Sequence, residues 1–381
     1  MTAQSRPAAD VVVVGGGVIG LSLAWRLKRE GASVVVLERG QVGGQATGAA
    51  AGMLAPLAEA KAAGPFVQLG LASLQRYPAF VSALREETGL DPELIGPGML
   101  RVVHTESEEE ILAQEFAWQR TIGLPMEWLG SAEARALEPA LNPDTRAAVL
   151  SVREQNVEPR RLVRALAQAC GLRGVRIVEN AFVLGFTTMG ARVTAVQTVN
   201  GPVPCGAVVV AGGAWSESIA SWLRVALPVF PVRGQILALT CLPPPIRHTL
   251  YTHAGYLVPK ADGRVIVGAT EDSAGFETRP TAQGLLRLLT LAIELLPALG
   301  NAPFESAWAG LRPASADGLP ILGILPGWEN AHVASGHFRN GILLAPITGE
   351  LVAQEIRGGP ASSLLSAFRP DRFIHTNERE I

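Results

Sequence analysis

The chain has few of the residues that build disulfide-rich or metal-binding proteins. Its 381 residues include three cysteines, Cys170, Cys205 and Cys241, which are far apart in sequence and form no CxxC pattern. An odd number of scattered cysteines argues against a disulfide framework and against a zinc site. We therefore predict a reducing, cytoplasmic location and no bound metal.

Excess positive charge and long apolar segments are also missing. The formal net charge is −2, so no basic surface is expected for nucleic acid or for an anionic membrane. The apolar stretch from Val11 to Trp25 contains four glycines and is too short to span a bilayer. We expect a small-molecule partner, no nucleic acid and no stable membrane insertion.

What the chain does contain is enough apolar sequence for one large or two medium globular units, since 48% of its residues are hydrophobic and 17% are charged. The β-branched run Val11 to Val14 is followed by glycines, an amphipathic stretch from Leu21 to Arg29, and a second apolar run from Val34 to Leu37. This order predicts a βαβ unit.

Further along the chain the pattern predicts more α/β structure. The expected elements are a helix at Pro159 to Cys170, strands at Val175 to Val178, Arg192 to Val199 and Ala207 to Val210, and a C-terminal strand and helix. Two stretches differ in pattern, Glu86 to Leu150 and Val229 to Ile266, because charge, proline and alternating apolar runs are more frequent there. We read them as an inserted domain.

The predicted fold class is therefore α/β, a Rossmann-type nucleotide-binding domain with an inserted mixed or antiparallel-sheet domain. The nucleotide-binding domain is expected to be discontinuous and to comprise residues 1–85, 150–220 and 305–381. The inserted substrate-binding domain is expected to comprise residues 86–149 and 221–304.

A dinucleotide-binding motif follows the first strand. Gly15, Gly17 and Gly20 have the GxGxxG spacing, and Glu38 closes the next strand. Glycines allow close approach of a pyrophosphate to a helix N-terminus, and the carboxylate accepts hydrogen bonds from ribose hydroxyls. The motif alone does not separate NAD from FAD. Its position at the start of the chain favours one long cofactor around which the rest is organised.

Two further stretches fit a cofactor. The small-residue run from Gly43 to Leu54 allows backbone to lie against a flat ring or a phosphate, although a flexible surface loop would have the same composition. From Val333 to Ile356 a β-type run, a polar loop and Gly341 precede an apolar helix pattern. The unpaired amides at such a helix start are suited to holding negative charge.

Taken together, these segments resemble the flavin-dependent D-amino-acid oxidase superfamily, and within it most closely the glycine oxidases. The resemblance is carried by VVVVGGGVIG, LERG, TGAAAGML, VVVAGGAWS, YLVPKADGRVIVGAT, WAGLRPASADGLPILG and GHFRNGILLAPITG. It implies an FAD-binding domain with a mixed-sheet substrate domain that covers the flavin. The cysteines do not match the attachment cysteine of sarcosine oxidases, which implies noncovalent FAD.

The resemblance also implies which residues bind FAD. It adds to the glycine motif a set of residues along the chain: Val18, Ile19, Glu38, Arg39, Ala46, Thr47, Ala51, Gly52, Met53, Val183, His337, Phe338, Arg339, Asn340, Gly341, Ile342 and Leu343. The helix that begins near Ile342 would point its positive end at the N1–C2=O edge of the flavin. For His337 we expect the backbone, and not the imidazole, to bind.

For the substrate we single out Arg312, Tyr256 and Arg339. Arg312 lies in the apolar segment WAGLRP, where a guanidinium needs an anion, and the resemblance assigns it to the substrate carboxylate. Tyr256 would add an O–H donor, and Arg339 matches a second arginine of the site. Structural ion pairs for the two arginines, and simple packing for Tyr256, are the alternatives. Glu271 stands where we expect an apolar residue.

The expected reaction is FAD-dependent oxidative deamination of glycine and other small amines such as sarcosine, D-alanine and D-proline. No motif resembles a general base, which favours hydride transfer from the substrate to flavin N5. The product would be an imine, which gives glyoxylate and ammonia or an amine, and reoxidation of the flavin by O2 would give H2O2. The resemblance implies a role in thiamine thiazole synthesis and a homotetramer. A D-amino-acid or sarcosine oxidase, a quinone-linked dehydrogenase, and a flavin-binding subunit without turnover are the alternatives.

Overall fold

The computed structural model describes residues 9–60, 62–360 and 362–378, and two eight-stranded sheets organise them. The strands are β1 (Ala9–Val14), β2 (Val34–Leu37), β3 (Met53–Leu54), β4 (Met99–Val103), β5 (Met126–Gly130), β6 (Ala147–Ser151), β7 (Gln155–Asn156), β8 (Arg176–Val178), β9 (Val183–Met189), β10 (Arg192–Thr198), β11 (Gly201–Val210), β12 (Val229–Thr240), β13 (Thr249–Thr252), β14 (Gly255–Pro259), β15 (Arg264–Gly268), β16 (Phe304–Ser315), β17 (Ile321–Ile324) and β18 (Ala331–Ser335). The helices are α1 (Val18–Arg29), α2 (Ala46–Ala49), α3 (Pro65–Thr88), α4 (Glu106–Gln119), α5 (Ser131–Leu137), α6 (Pro159–Leu172), α7 (Ser216–Ser221), α8 (Ala282–Leu295) and α9 (Gly341–Ile356). Short 3₁₀ segments lie at Arg120–Ile122, Gly213–Trp215, Pro297–Asn301, Ser363–Phe368 and Pro370–Glu378.

The first sheet has the strand order β17-β18-β11-β1-β2-β8, and β9 and β10 extend it from β11. Strands β18, β11, β1, β2 and β8 pair in parallel, whereas β17 and the β9–β11 extension pair antiparallel. Val11–Val14 of β1 and Val34–Leu37 of β2 are continuous buried apolar runs, as is typical of parallel strands that are covered on both faces. Helices α1, α3, α6 and α9 share one apolar core with this sheet, so the predicted βαβ unit is confirmed.

The second sheet has the order β16-β12-β15-β14-β13-β4-β6-β5. Only β13 and β4 pair in parallel within it; its other pairs are antiparallel, so the sheet is mixed and the predicted α/β class is confirmed. Helix α8 packs on one face through Leu288, Leu291, Ala292 and Leu295. The other face of β12, β14 and β15 turns towards the first sheet, with Ile236, Val258 and Ile266 buried there.

Strand β16 differs from the boundary predicted at residue 305. That boundary placed it with the cofactor-binding segments, but β16 pairs with β12 over almost its whole length, from Phe304 opposite Leu239 to Ser315 opposite Val229. The sequence did not reveal the pairing because local periodicity carries no information about which strand is the partner. Strand β16 therefore belongs to the second sheet. It extends towards the first sheet and places residues of the second sheet beside it.

None of the helices in the described part of the chain combines the length and the hydrophobicity needed to cross a bilayer.

Candidate active site

A single continuous cavity runs between the two sheets, from the glycine turn after β1 to the inner ends of β12, β14 and β16. Of the residues predicted to bind cofactor or substrate, Gly20 and Leu343 do not line this cavity; the rest do, namely Gly15, Gly17, Val18, Ile19, Glu38, Arg39, Ala46, Thr47, Ala51, Gly52, Met53, Val183, Tyr256, Arg312, His337, Phe338, Arg339, Asn340, Gly341 and Ile342. The structure thus brings together segments from both ends of the chain.

The three glycines of the GxGxxG motif differ in what a Cβ at each position would contact. Gly15 has φ +119°, and a Cβ there would lie 2.2 Å from the Ala211 carbonyl oxygen. A Cβ at Gly20 would lie 2.0 Å from the carbonyl oxygen of Gly15, so Gly20 serves close helix–strand packing. At Gly17 a Cβ would meet only the Thr47 hydroxyl, at 3.3 Å, and would otherwise occupy the cavity.

The start of α1 can hold a pyrophosphate. The amide of Val18 donates to the Thr47 hydroxyl at 3.1 Å, but no hydrogen bond among the described residues uses the amides of Gly17 and Ile19. Unused amides at a helix N-terminus that faces a cavity are the donors that a phosphate needs. The turn therefore fits the dinucleotide part of FAD.

Glu38 is buried at the end of β2 and fixed by backbone. Its Oε2 accepts from the amide of Gly16 and its Oε1 from the amide of Gly40, both at 2.8 Å. The remaining lone pairs of the carboxylate are available to ribose hydroxyls. Beside it, the Arg39 guanidinium lies 3.4 Å from the ring centroid of Trp215, a cavity residue that the sequence analysis did not single out.

At the far end of the cavity the N-terminus of α9 also has unused donors. Leu344 makes the first intrahelical bond, to the Asn340 carbonyl at 2.8 Å, and no hydrogen bond among the described residues uses the amides of Gly341, Ile342 and Leu343. These amides and the helix dipole favour an electron-rich group at this position. The arrangement fits the flavin edge that the resemblance placed here.

The beginning of α9 is anchored to α3. The Tyr77 hydroxyl donates to the Ile342 carbonyl at 2.5 Å, and the Ser73 hydroxyl donates to the Leu343 carbonyl at 2.6 Å. Leu343 is therefore held from behind the cavity and does not line it. Neighbouring His337 is buried with Nε2 3.1 Å from the Thr348 hydroxyl, and burial lowers its pKa to about 3. The imidazole Nε2 is therefore engaged by a contact within the protein, and that its backbone binds the cofactor stays a prediction.

Arg312 lies on β16 at the opposite wall. Its Nη1 donates to the Thr270 carbonyl at 2.8 Å, and no carboxylate of the described residues lies within ion-pairing distance. Burial lowers the pKa of this guanidinium. A Cβ at Gly234 would lie 2.3 Å from Nη2, so the guanidinium rests directly on the β12 backbone. A half-buried arginine without an acid is prepared to bind an anion.

Tyr256 faces the same space from β14. It packs over Gly268, where a Cβ would come within 2.6 Å of the phenol oxygen, and burial raises the pKa of the hydroxyl. A protonated phenol can donate to an anion held by Arg312. Phe338, on the loop before α9, has φ +47° and its ring centroid is 5.9 Å from the guanidinium carbon of Arg312. Positive φ at an aromatic residue is uncommon and typical of functional sites.

Arg339 differs from Arg312 because it already has acidic partners. Its Nη2 lies 3.0 Å from Glu59 Oε1 and its Nη1 lies 2.6 Å from Glu271 Oε1. Burial raises the pKa of Glu59, and the Arg339 guanidinium opposes that rise. Burial would by itself lower the pKa of Arg339, but Glu59 and the nearby tyrosines raise it above its usual value.

Neither acid was predicted as a site residue. Glu271 had a signal, since an acid stands where an apolar residue was expected. Glu59 had none, because the loop that carries it is fixed by distant residues: Glu154 Oε1 accepts from the amides of Leu57 at 2.7 Å and Ala58 at 3.3 Å.

Lys260 is a further residue that the sequence did not reveal. Its buried ammonium donates to the carbonyls of Ala51 at 2.8 Å and Val157 at 2.9 Å and to Asn156 Oδ1 at 3.3 Å. Burial lowers its pKa to about 8. The lysine thus ties β14 to the Ala51–Gly52 wall of the cavity.

Comparison with known proteins agrees with this geometry. The family model for DAO, FAD dependent oxidoreductase, matches residues 10–355. Glycine oxidase of Geobacillus kaustophilus is 35% identical over 367 residues, which are 96% of this chain and 97% of that protein. The bifunctional protein ThiO/ThiG of Synechocystis sp. is 38% identical over 375 residues, 97% of this chain but 54% of that protein.

A crystal structure is similar as well. The structure of glycine oxidase from Geobacillus kaustophilus superposes with a TM-score of 0.93 at 34% sequence identity, and the match covers 96% of this chain and 99% of that one. The family match spans most of the chain, and the glycine turn, Glu38 and Arg312 line one continuous space. The chain belongs to the DAO family of FAD-dependent oxidoreductases and is an FAD-dependent amino-acid oxidase.

Proposed function

We propose that the enzyme oxidises glycine, and with it small amines of the same kind such as sarcosine, D-alanine and D-proline, to the imine and then to glyoxylate or the corresponding oxo acid. The observation that carries the proposal is Arg312, a half-buried guanidinium without an acidic partner among the described residues, next to the Tyr256 phenol. Planar guanidinium and carboxylate match in two parallel hydrogen bonds.

The pocket supports a small substrate. Arg312 would hold the carboxylate, Tyr256 would donate a further hydrogen bond to it, and Phe338 would limit the space for a side chain on the α-carbon. A substrate held by its carboxylate presents its C–H bond in one orientation. Fixed orientation of the reacting bond accelerates hydride transfer. Bound FAD supplies the hydride acceptor at N5 and passes the electrons to O2, giving H2O2.

The unpaired amides of α9 support the same proposal, because they favour negative charge at the end of the cavity where the substrate residues lie. Noncovalent FAD is supported by the cysteines, since Cys170, Cys205 and Cys241 are free thiols and do not line the cavity. The names of the relatives, glycine oxidase and ThiO/ThiG, support glycine as substrate and a role in thiamine thiazole synthesis. The homotetramer stays a prediction, which light scattering of the purified protein tests.

Peroxide release tests the proposal. Purified yellow protein is incubated with glycine, sarcosine, D-alanine or D-proline in air, and H2O2 is measured with a coupled peroxidase, with catalase as control. We expect glycine-dependent peroxide together with glyoxylate and ammonia. Dye reduction by the amino acid without peroxide would instead support a dehydrogenase, and no turnover with any of the four would refute the proposal.

A further inference from the structure

The substrate end of the cavity is electrically asymmetric. One arginine, Arg312, has no carboxylate partner among the described residues, whereas the other, Arg339, lies between two carboxylates, Glu59 and Glu271. The positive charge of Arg312 has no ion-paired carboxylate, whereas that of Arg339 is offset by the acids beside it. Two cations of the same chemical type therefore present different electrostatic environments to a ligand.

Glu271 is held in this position by the segment around it. Thr270, the preceding residue, provides the carbonyl that accepts from Arg312, and its hydroxyl donates to Asp272 at 2.7 Å. Asp272 in turn exchanges backbone hydrogen bonds of 2.9 Å with Arg233 on β12 in both directions. Because the residues on both sides of Glu271 are fixed, its side chain is positioned to pair with Arg339.

The two acids differ in exposure. The Glu59 side chain is 11% exposed and lies on the inner side of Arg339, whereas the Glu271 side chain is 47% exposed and lies on the outer side. Glu271 does not itself line the cavity, but a second acidic group of a ligand that reached Arg339 would find its Nη1 donor already occupied by this acid. A protein carboxylate beside a desolvated binding site repels a ligand that has an acidic group at that position, and so discriminates strongly between ligands.

We propose that Glu271 is a specificity-determining residue that restricts the enzyme to substrates with a single carboxylate. By occupying Arg339 it leaves Arg312 as the one anion-binding group and repels a second acid group on the nitrogen or on the α-carbon. The substrate class is then monocarboxylic amino acids with a small or absent side chain, including N-methylated ones. The inference rests on the proposed function for its kinetic part, but its binding part does not require turnover.

Equilibrium binding gives a test that is independent of catalysis. Acetate, with one carboxylate, and malonate, with two, are titrated into the holoenzyme, and binding is followed through the change in the flavin absorption spectrum. We expect the wild type to bind acetate in preference to malonate. In Glu271→Gln, which keeps the shape and loses the charge, the ratio of malonate to acetate affinity should rise about tenfold or more. Glu271→Met, which also frees Nη1 of Arg339, should raise it further.

A matched control removes a carboxylate of a similar ion pair outside the cavity. Glu277 pairs with Arg279, which does not line the cavity, whereas Glu271 pairs with Arg339, which does. Glu277→Gln should therefore leave the affinity ratio at the wild-type value. The far-UV spectrum and the melting temperature of every variant establish that it is folded and carries FAD.

Kinetics extend the same comparison to substrates. Sarcosine and N-carboxymethylglycine differ by a second carboxylate on the nitrogen substituent, and the ratio of their kcat/KM values should shift in favour of the diacid in both Glu271 variants, mainly through KM. An affinity ratio within twofold of wild type in both folded variants would overturn the inference. Absence of amino-acid turnover in the wild type, with the shift in the binding ratio still present, would refute the proposed function alone.

Discussion

The Nη1 atom of Arg312 donates to the carbonyl oxygen of Thr270 at 2.8 Å, so the guanidinium is oriented by backbone and not by an acid. A backbone carbonyl fixes direction without cancelling charge. The arginine therefore keeps its positive charge for a ligand while its conformation is already set.

Arg312→Ala should abolish most of the activity with little effect on folding. Loss of a bidentate partner would leave the substrate carboxylate unpaired in a poorly solvated pocket, at a cost of about 3–5 kcal/mol, or roughly two to three and a half decades in kcat/KM. Arg312→Lys should recover only part of this, because an ammonium cannot hold the plane of a carboxylate. Steady-state kinetics with glycine and the melting temperature are measured on the same preparations.

The control for this variant is Arg279→Ala, which removes an exposed arginine whose ion pair lies outside the cavity. It should retain wild-type kinetics. If Arg312→Ala were clearly destabilised but kept kcat/KM within about threefold of wild type, roughly 0.7 kcal/mol, the guanidinium would be structural and the clamp would be rejected.

Two glycine substitutions in the same motif should separate cofactor binding from folding. Gly17→Ala places a methyl group in the cavity without a backbone clash, since Gly17 has φ −77°. It should fold as apoprotein but bind FAD roughly tenfold to hundredfold more weakly, the effect of about 1–3 kcal/mol of overpacking. Gly20→Ala, with its Cβ 2.0 Å from a carbonyl oxygen, should lower the stability of the apoprotein itself. Fluorescence titration with FAD and urea unfolding of the apoproteins measure the two effects, and equal stability loss in both variants would contradict this assignment.

Lys260→Met should weaken the protein and its hold on FAD together. The variant leaves the Ala51 and Val157 carbonyls and Asn156 Oδ1 without their donor, at a cost of about 2–4 kcal/mol in unfolding free energy. FAD should dissociate faster because Ala51 and Gly52 line the cavity. Urea unfolding and the rate of flavin fluorescence increase on dilution measure these effects. Lys28→Met on α1 is the control, and a Lys260 variant that matched it would show that the lysine has no such role.

Stability should fall as the pH falls below about 6.5, the ordinary histidine value, in part because of His332. Burial lowers the pKa of this imidazole to about 4, so the folded state binds fewer protons than the unfolded state between those two values. The contribution is therefore present above pH 6.5 and is lost towards pH 4, by up to about 3 kcal/mol. His332→Leu should flatten that part of the curve, measured as urea unfolding free energy from pH 7 to pH 4.5 with saturating FAD. Some slope should remain because burial also lowers the pKa of His337, to about 3. An unchanged slope in the His332 variant would contradict the prediction.

The sequence predicted those elements whose pattern is local. The strand at Val34–Leu37 has the predicted bounds, and α6 ends at Leu172, two residues beyond the predicted Cys170. Strand β11 begins earlier than predicted, at Gly201, because its first half pairs with β10 on a partly exposed extension and contains two prolines, so no buried apolar run marks it. The predicted strand at Ala207 to Val210 is the half that lies in the core.

The site residues likewise divide into those that lie in a local sequence motif and those that do not. The glycine turn, Glu38 and Arg312 were recognisable because each lies in a short motif with its own chemistry. Lys260 and Glu59 were not, since their roles come from contacts across the chain: Lys260 reaches Ala51 over 209 positions, and the Glu59 loop is held by Glu154, which lies 97 positions from Leu57. Periodicity and spacing do not report contacts of that range.

Strand β16 places three contacts of the cavity wall at alternate positions of one backbone. The Trp308 indole donates to the Ala49 carbonyl at 3.1 Å, Gly310 gives room to the Ala49 methyl group, and Arg312 lines the cavity. Because side chains alternate between the two faces of a strand, inserting or deleting one residue between Trp308 and Arg312 would turn one end of this series to the wrong face. Homologous enzymes should therefore differ in length in their surface loops while this interval stays constant, and a library of single-residue deletions should yield no active clones within it.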